Sequence, residues 1–599
     1  MALNKSNMNT KYLKYILPVA LVFGVVLSCQ DSFLSKDPQG QYSPTALKTP
    51  SGVEGILIGA YAMLDGQGLD GQDSWNNDIQ SWVFGGLASD DSYKGTDAGD
   101  QPEQSFIEKY DFQPTNNHIK NKWRGLYKGI ARANDALNTL TEVAAVTADR
   151  RKQIIAEARF LRGVYHFEAK KMWKTIPYID EKTYKLDDLE STKVPNDKDV
   201  WPLIEADFVA AIDGLPETQS QVGRPTKWAA RAFLAKLYMY QGWNVTTGVA
   251  NTVALTKAKT ILDQIVNSGK FSLMPNFQDN YLIATRNNKE SIFEVQYSVS
   301  SASGDAASAG VGLAHPYIDP WGCCGFYQPS QNLVNAYKTD ADGLPLLETF
   351  NDTDVKNDQG LKYTDPFTPY AGNLDPRLDH TVGRRGILFK DFKIHGPDFI
   401  RDPTYAGPYS PKKHIAEKAG FGINGWGNLS SNNYRMVRYD MILLWLAEAE
   451  VELGNLENAR KLVNQIRTRA ANPASFVKKA VQGPASRDDF TVLNEPAANY
   501  VIKTYDKPWT DAATARKAVR FESRLEFAME GHRFFDLQRW GIAAETLNKY
   551  VAVEATKRIY KKGAIFTKGK NEYFPIPQEA IDRSYKAGAA TLTQDPAYK

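Results

Sequence analysis

The chain has 599 residues, with 72 Lys and Arg against 69 Asp and Glu, so its formal charge is only +3. That balance gives no global electrostatic pull toward nucleic acid and excludes recognition of partners by bulk charge. Length allows a large core, nominally three or four small domains, and an apolar content of 42% is ordinary for a globular chain.

The N-terminus reads as an export signal. Lys5, Lys11 and Lys14 precede the apolar run from Tyr15 to Ser28, which is too short to span a bilayer comfortably. Cys29 follows Val26-Leu-Ser28 and resembles the acylated cysteine of a bacterial lipobox. Removal of residues 1–28 takes away three lysines and no acid, leaving a neutral mature chain tied to a membrane by lipid. Residues 29–50 are expected to form a tether, with one domain over 51–599, divided near 275 into N-terminal and C-terminal parts.

Apolar spacing predicts a long helix carrying Ile154, Ala158, Leu161, Tyr165, Ala169 and Met172. A second runs from Trp228 to Trp243 after Pro225-Thr226. A third carries Val437, Met441, Leu444, Ala447 and Val451 and stops at Gly454-Asn455, where a partner helix with Leu456, Ala459, Leu462 and Ile466 begins. Ala258 to Ile265 matches Ala459 to Ile466 position for position, and each copy is the second helix of a pair. This is the logic of tetratricopeptide-like stacking. About 200 residues separate the copies, so the array is expected to be interrupted. The segment 280–435 is rich in Gly, Pro, Asn, Asp and aromatics, with strand-like runs such as Ser291 to Tyr297. The expected fold is mainly α, a helix-pair scaffold with a large irregular, loop-rich portion where binding surfaces usually lie.

Without Cys29, the adjacent Cys323 and Cys324 remain. An oxidising location permits a vicinal disulfide, a flat soft platform for an apolar ligand face; two reduced, packed thiols are the alternative. Sugar rings present flat C–H faces that stack on aromatic rings, with Asp, Asn, Arg or Gln meeting the hydroxyls. Three loop stretches fit that description. One holds Trp75, Trp82, Asp91 and Tyr93; one runs from Trp321 through the cysteines to Tyr327; one surrounds Trp426. The alternative for each aromatic is a pin holding a long loop to the body. Trp123, Trp173, Trp228 and Trp445 lie on helical patterns and are assigned to packing. Asp90, Asp91, Asp97 and Asp100 form an acidic, glycine-containing loop. It is a candidate for structural calcium, although its order is not that of an EF-hand.

Catalytic motifs do not appear. His532, beside Arg533, Asp536 and Arg539, reads as part of a structural cluster. Glu522, Glu526 and Glu530 share a helix face with Arg520, Arg524 and Arg533 interleaved, which reads as a solvated or salt-bridged surface rather than a pair of catalytic carboxylates.

Ordered motifs nearly end to end resemble the SusD/RagB family of outer-membrane nutrient-binding lipoproteins. They include Cys29 with Asp31-Ser-Phe-Leu34, Glu157 to Phe167, Lys289 to Glu294, Pro329 to Val334, Leu374-Asp-Pro-Arg-Leu378, Thr381 to Gly386 and Arg438-Tyr-Asp440. Arg524 to Gly541, Tyr573 to Pro577 and Gln594 to Tyr598 complete the set. The resemblance implies four tetratricopeptide-like helix pairs supporting an irregular binding half. It also implies a surface-exposed lipoprotein that binds oligosaccharides without catalysis or cofactor and passes them to a SusC-like TonB-dependent barrel transporter. Uptake of peptides or glycopeptides on the same scaffold is the alternative. The family's ligand residues lie outside these motifs and are not carried over.

Overall fold

A computed structural model describes residues 47–66, 74–299, 307–422 and 429–599. The signal and Cys29, most of the tether, and Trp426 lie outside the described residues.

Helices α1 (Pro50–Ala62), α2 (Asn117–Thr141), α3 (Ala148–Met172), α4 (Trp201–Gly214), α5 (Lys227–Tyr240) and α6 (Thr252–Asn267) build the first part of the chain. Local chemistry sets their ends. Thr147 caps α3 by accepting from the Arg150 amide, Asp149 lies in its first turn, and Lys170 and Lys171 in its last, each sign matched to the helix dipole. Thr226 caps α5 in the same way, directly after Pro225. Gly129 lets α2 and α3 approach closely, since a Cβ there would lie 2.6 Å from the Tyr165 ring.

The later helices are α7 (Tyr439–Glu452), α8 (Leu456–Ala470), α9 (Ala512–Phe527) and α10 (Arg533–Arg539). Between α7 and α8 the chain reverses at Gly454, whose φ of +85° suits a helix C-terminus. Repeat positions Ala258, Leu262 and Ile265 on α6 and Ala459, Val463 and Ile466 on α8 are all buried. Successive helices pack from α2 through α6, then α6 packs directly on α7 although residues 268–438 lie between them. The interruption expected from the sequence is therefore one of chain order only, and the helical stack continues across the insertion in space.

Short antiparallel strand pairs organise the inserted and loop-rich parts. Strand β1 (Ser92–Gly95) pairs with β3 (Phe326–Pro329), and β2 (Ser291–Val295) with β4 (Tyr434–Arg438). Val437, grouped with the third helix by its spacing, lies on β4; the helix itself starts at Tyr439. One buried apolar cluster runs from Val53 to Leu592. A smaller one, built on Trp321, Phe389, Phe392, Phe399, Ile400 and Ile415, lies within the inserted half. Trp123, Trp173, Trp228 and Trp445 are buried, as their helical spacing predicts.

Candidate ligand-binding face

The pairing of β1 with β3 joins two of the three stretches singled out above. Tyr93 lies opposite Gln328 and Gly95 opposite Phe326. The Thr96 amide then donates to the Gly325 carbonyl at 2.7 Å. The acidic loop and the cysteine segment are thereby brought side by side.

Within that join, most of the expected contact residues turn inward, which corrects their reading as ligand-facing groups. Trp82 is buried, its indole N–H donating to the Gly310 carbonyl at 2.7 Å and its ring 5.2 Å from that of Tyr327. Tyr327 is equally buried. Tyr93 donates its hydroxyl hydrogen to Glu554 at 2.6 Å, deep in the core. Asp91 accepts from the Arg524 Nε at 2.9 Å. Trp321 is 2% exposed, enclosed by Phe389, Phe392 and Phe399. These rings pin long loops to the body and offer no face for stacking. Trp75 is half-buried, on a short helix, Ser74–Asn77, that packs against α2.

The calcium loop is corrected as well, because its four carboxylates do not converge. Asp90 and Asp91 are buried against arginines; burial alone would raise Asp90, but Arg524 and Arg533 outweigh it and hold its carboxyl at about 2. Asp97 and Asp100 face the other way and grip Arg401 at 2.8 and 2.6 Å. The Lys94 ammonium donates to the carbonyls of the same two residues, at 2.7 and 2.5 Å. Two cations thus already fill the loop.

What remains at the surface is a small patch. Cys323 and Cys324 are joined as a vicinal disulfide and half-exposed, with Gly322 and Gly325 on either side at φ of +72° and +80°. Tyr317 is 39% exposed, and the Arg401 guanidinium sits 5.5 Å from its ring centroid. A Cβ added at Gly325 would touch the Cβ atoms of Tyr317 and Arg401 alike, at 3.6 Å, so the turn, the phenol and the guanidinium are contiguous. Thr96 accepts from Arg401 through Oγ1 at 2.9 Å. Burial is the largest single effect on Asp97 and opposes its ionisation, yet the amides of Asp100 and Gly99, with Arg401, together outweigh it and hold its carboxyl below the usual range. The patch therefore combines a flat soft surface, a phenol ring and a charge-balanced set of donors and acceptors. Tyr317 and Arg401 were missed in the sequence. The run His315-Pro-Tyr-Ile-Asp-Pro320, an aromatic held between prolines just before the cysteines, pointed to the first; nothing local points to Arg401.

Among the described residues, one grouping of His, Cys or acidic side chains converges closely enough for a metal, namely His315 with Cys323 and Cys324, and the disulfide occupies both sulfurs. The carboxylates on α9 are not solvated. Arg377 binds Asp375 at 2.7 Å, Glu522 at 2.7 Å and Glu526 at 2.9 Å, all fully buried. Arg467 binds Glu522, Arg469 binds Glu526, and Arg438 joins Asp440 to Glu530. The partners come from other elements, not from the interleaved Arg520, Arg524 and Arg533. His532 belongs to the same structural region: burial pushes it down to about 4, while the neighbouring Arg533 and Arg539 bind Asp90 and Glu448.

A helical-repeat scaffold carrying a large loop-built insertion defines the class, and comparison with known proteins identifies the family. Residues 289–598 match the model described as the SusD family, and residues 33–239 match one described as starch-binding, associating with outer membrane. The chain belongs to the SusD family. A SusD-like protein of Bacteroides ovatus is 28% identical over 289 residues, 47% of this chain and 49% of that protein. SusD-like protein P2 of Formosa agariphila is 23% identical over 549 residues, 89% of this chain and 92% of the relative. Among solved structures, a SusD superfamily protein of Bacteroides vulgatus superposes with TM-score 0.64 at 20% identity, covering 91% of this chain and 98% of the other. Surface glycan-binding protein A of Bacteroides thetaiotaomicron, in complex with laminarihexaose, superposes with TM-score 0.60 at 20% identity over 91% and 99%. Among the described residues no helix is long and apolar enough to cross a membrane.

Proposed function

We propose that the protein is an outer-membrane lipoprotein, held by lipid on Cys29 and facing outward, that binds neutral oligosaccharides on its loop-built face. It delivers them uncut to a SusC-like TonB-dependent transporter. Membership of the SusD family supports the setting, and the laminarihexaose held by a relative of the same fold supports the ligand class. The observation that carries the reading is the patch of Tyr317, the disulfide and Arg401. The phenol and the sulfurs suit the C–H faces of a sugar, and Arg401, Asp97, Asp100 and Thr96 suit its hydroxyls. Lys94 and Arg401 balance Asp97 and Asp100, so the patch favours an uncharged chain over a uronic or sulfated one. The buried, arginine-bound carboxylates of α9 lack the open cleft that glycosidic cleavage requires.

Isothermal titration of the purified protein with laminarihexaose, starch oligosaccharides and other neutral glycans tests this. Binding to at least one is expected, and Tyr317→Ala should weaken it about three- to tenfold with the unfolding midpoint unchanged. Silence across the glycan panel, or release of shortened products, would overturn the reading; heat from peptides alone would replace it with peptide uptake.

A further inference from the structure

A ring nitrogen of His315 and the sulfurs of Cys323 and Cys324 all lie within 4.8 Å of one another. Neighbouring ligands on one tetrahedral zinc ion stand about 3.5–3.8 Å apart, given Zn–N and Zn–S bonds of about 2.0 and 2.3 Å. The three groups are therefore near the spacing of a shared ion, although the S–S bond holds both sulfurs.

The hydrogen bonding of the His315 ring suits this role. Nδ1 stands 2.8 Å from the Pro316 carbonyl and Nε2 3.0 Å from that of Gly312. A neutral imidazole has one N–H, so whichever nitrogen coordinates, the other has a carbonyl to donate to. That outer bond is what fixes the tautomer and direction of metal-bound histidines. A cavity of about 20 Å³, walled by Trp321, Ile415 and Phe421, adjoins the ring and leaves it room to shift. His315 is buried, whereas the cysteines are half-exposed. A Cβ at Gly322 would meet nothing within 4 Å, so the turn is open to a reductant and to an ion.

The donor set selects the ion. Two thiolates and an imidazole, with no carboxylate in the grouping, favour a thiophilic cation over calcium or magnesium. Three protein ligands leave the fourth corner of a tetrahedron to water or an outside group.

We infer that, once a thiol reductant opens the disulfide, His315, Cys323 and Cys324 bind one zinc-class cation. The reductant's thiolate attacks one sulfur and expels the other, and a second reductant thiol resolves the mixed disulfide. Two reductant thiols thus become one disulfide, and the chain gains two thiols. The ion then displaces both thiol protons, which pass to solvent. This binding needs no glycan and stands whether or not the patch holds one.

The test uses the purified protein carrying Cys29→Ser, so that Cys323 and Cys324 are its only cysteines. It is reduced with a phosphine, freed of reductant without air, and titrated with Cd2+, read by thiolate-to-cadmium charge-transfer absorption. The reduced chain should take up one ion and release two protons, and the oxidised chain should take up none. Zn2+ should compete for the site, whereas Ca2+ in about a hundredfold excess should not. His315→Ala should weaken Cd2+ binding about tenfold or more. Without that variant, the nitrogen NMR signals of the His315 ring should shift when Zn2+ is added to the reduced chain. No uptake by the reduced chain up to about 1 mM Cd2+, equal uptake by the oxidised chain, or ring signals that stay in place would overturn the inference.

Discussion

At the scale of single residues, Trp321 shows how an aromatic can be read correctly as important and wrongly as exposed. Its neighbours, Gly322 and the cysteines, have the composition of a surface loop. Whether the ring points out or in depends on Phe389, Phe392 and Phe399, which lie far along the chain and carry no signal linking them to Trp321. Truncating so buried a ring leaves a cavity, which costs about 3–5 kcal/mol. Trp321→Ala should therefore lower the urea midpoint of the protein, with Trp321→Phe recovering much of it, and should disturb the patch only through loss of the loop. An unchanged midpoint in Trp321→Ala would mean that the ring is not a pin. The same dependence on remote partners hid Arg401, whereas the adjacency of Cys323 and Cys324 is itself a sequence property and left two readings, a vicinal disulfide or packed thiols, of which the structure has the first.

At the scale of elements, the motifs that identified the family acquire a physical meaning. Glu290 from the turn before β2, Asp375 and Arg377, Arg438 and Asp440 at the junction of β4 and α7, Arg469 on α8, and Glu526 and Glu530 meet in one buried ionic network. These motifs fasten the inserted half to the helical stack and do not form a ligand site. Burial alone would raise Glu526, but Arg469, Arg377 and Arg438 outweigh it and hold the carboxyl at about 2. Removing one partner leaves opposite charges buried and uncompensated, so Arg377→Ala should cost about 3–5 kcal/mol in chemical denaturation. A loss below about 1 kcal/mol would show that the network is not what joins the halves. Periodicity revealed the helices, since a buried stripe is a local pattern; Thr226 and Gly454 even marked their ends. The network was not legible, because a glutamate among arginines on one helix looks the same whether its partner is its neighbour or, as for Glu526 and Arg377, a residue 149 positions away.

For the whole molecule, the repeat copies on α6 and α8 and the continuous packing of α6 on α7 make a single frame from a divided sequence, and that frame encloses ionisable groups as it closes. All seven histidines have their protonation opposed by burial as the leading cause. Four of them are fully enclosed: His118 and His315 are pushed down to about 4, His166 to about 3, and His395 well below its ordinary value. Above pH about 6.5 neither the native nor the unfolded chain binds these protons, so stability is flat with respect to them. Below that value the unfolded chain takes them up while the native chain does not, and stability must fall as pH falls. Each such proton contributes about 1.4 kcal/mol per pH unit, so the four enclosed histidines together set a slope approaching roughly 5 kcal/mol per unit between pH ~5.5 and ~4.5. Carboxylates held down near 2, such as Asp90 and Glu526, extend the loss below pH about 4.5, where their unfolded counterparts begin to protonate. Burial raises Asp78 to about 7 and Asp135 and Asp358 to about 6, so these carboxyls take up protons in the native chain first and offset part of the histidine slope. Because the seven lowered histidines outnumber them, urea denaturation at half-unit steps from pH 7.5 to 4.5 should still show a net decline that begins above the ordinary carboxylate range. A decline confined to the carboxylate range would mean that the histidines are already protonated or solvent-reached in the native state, and that the frame is looser than its packing indicates.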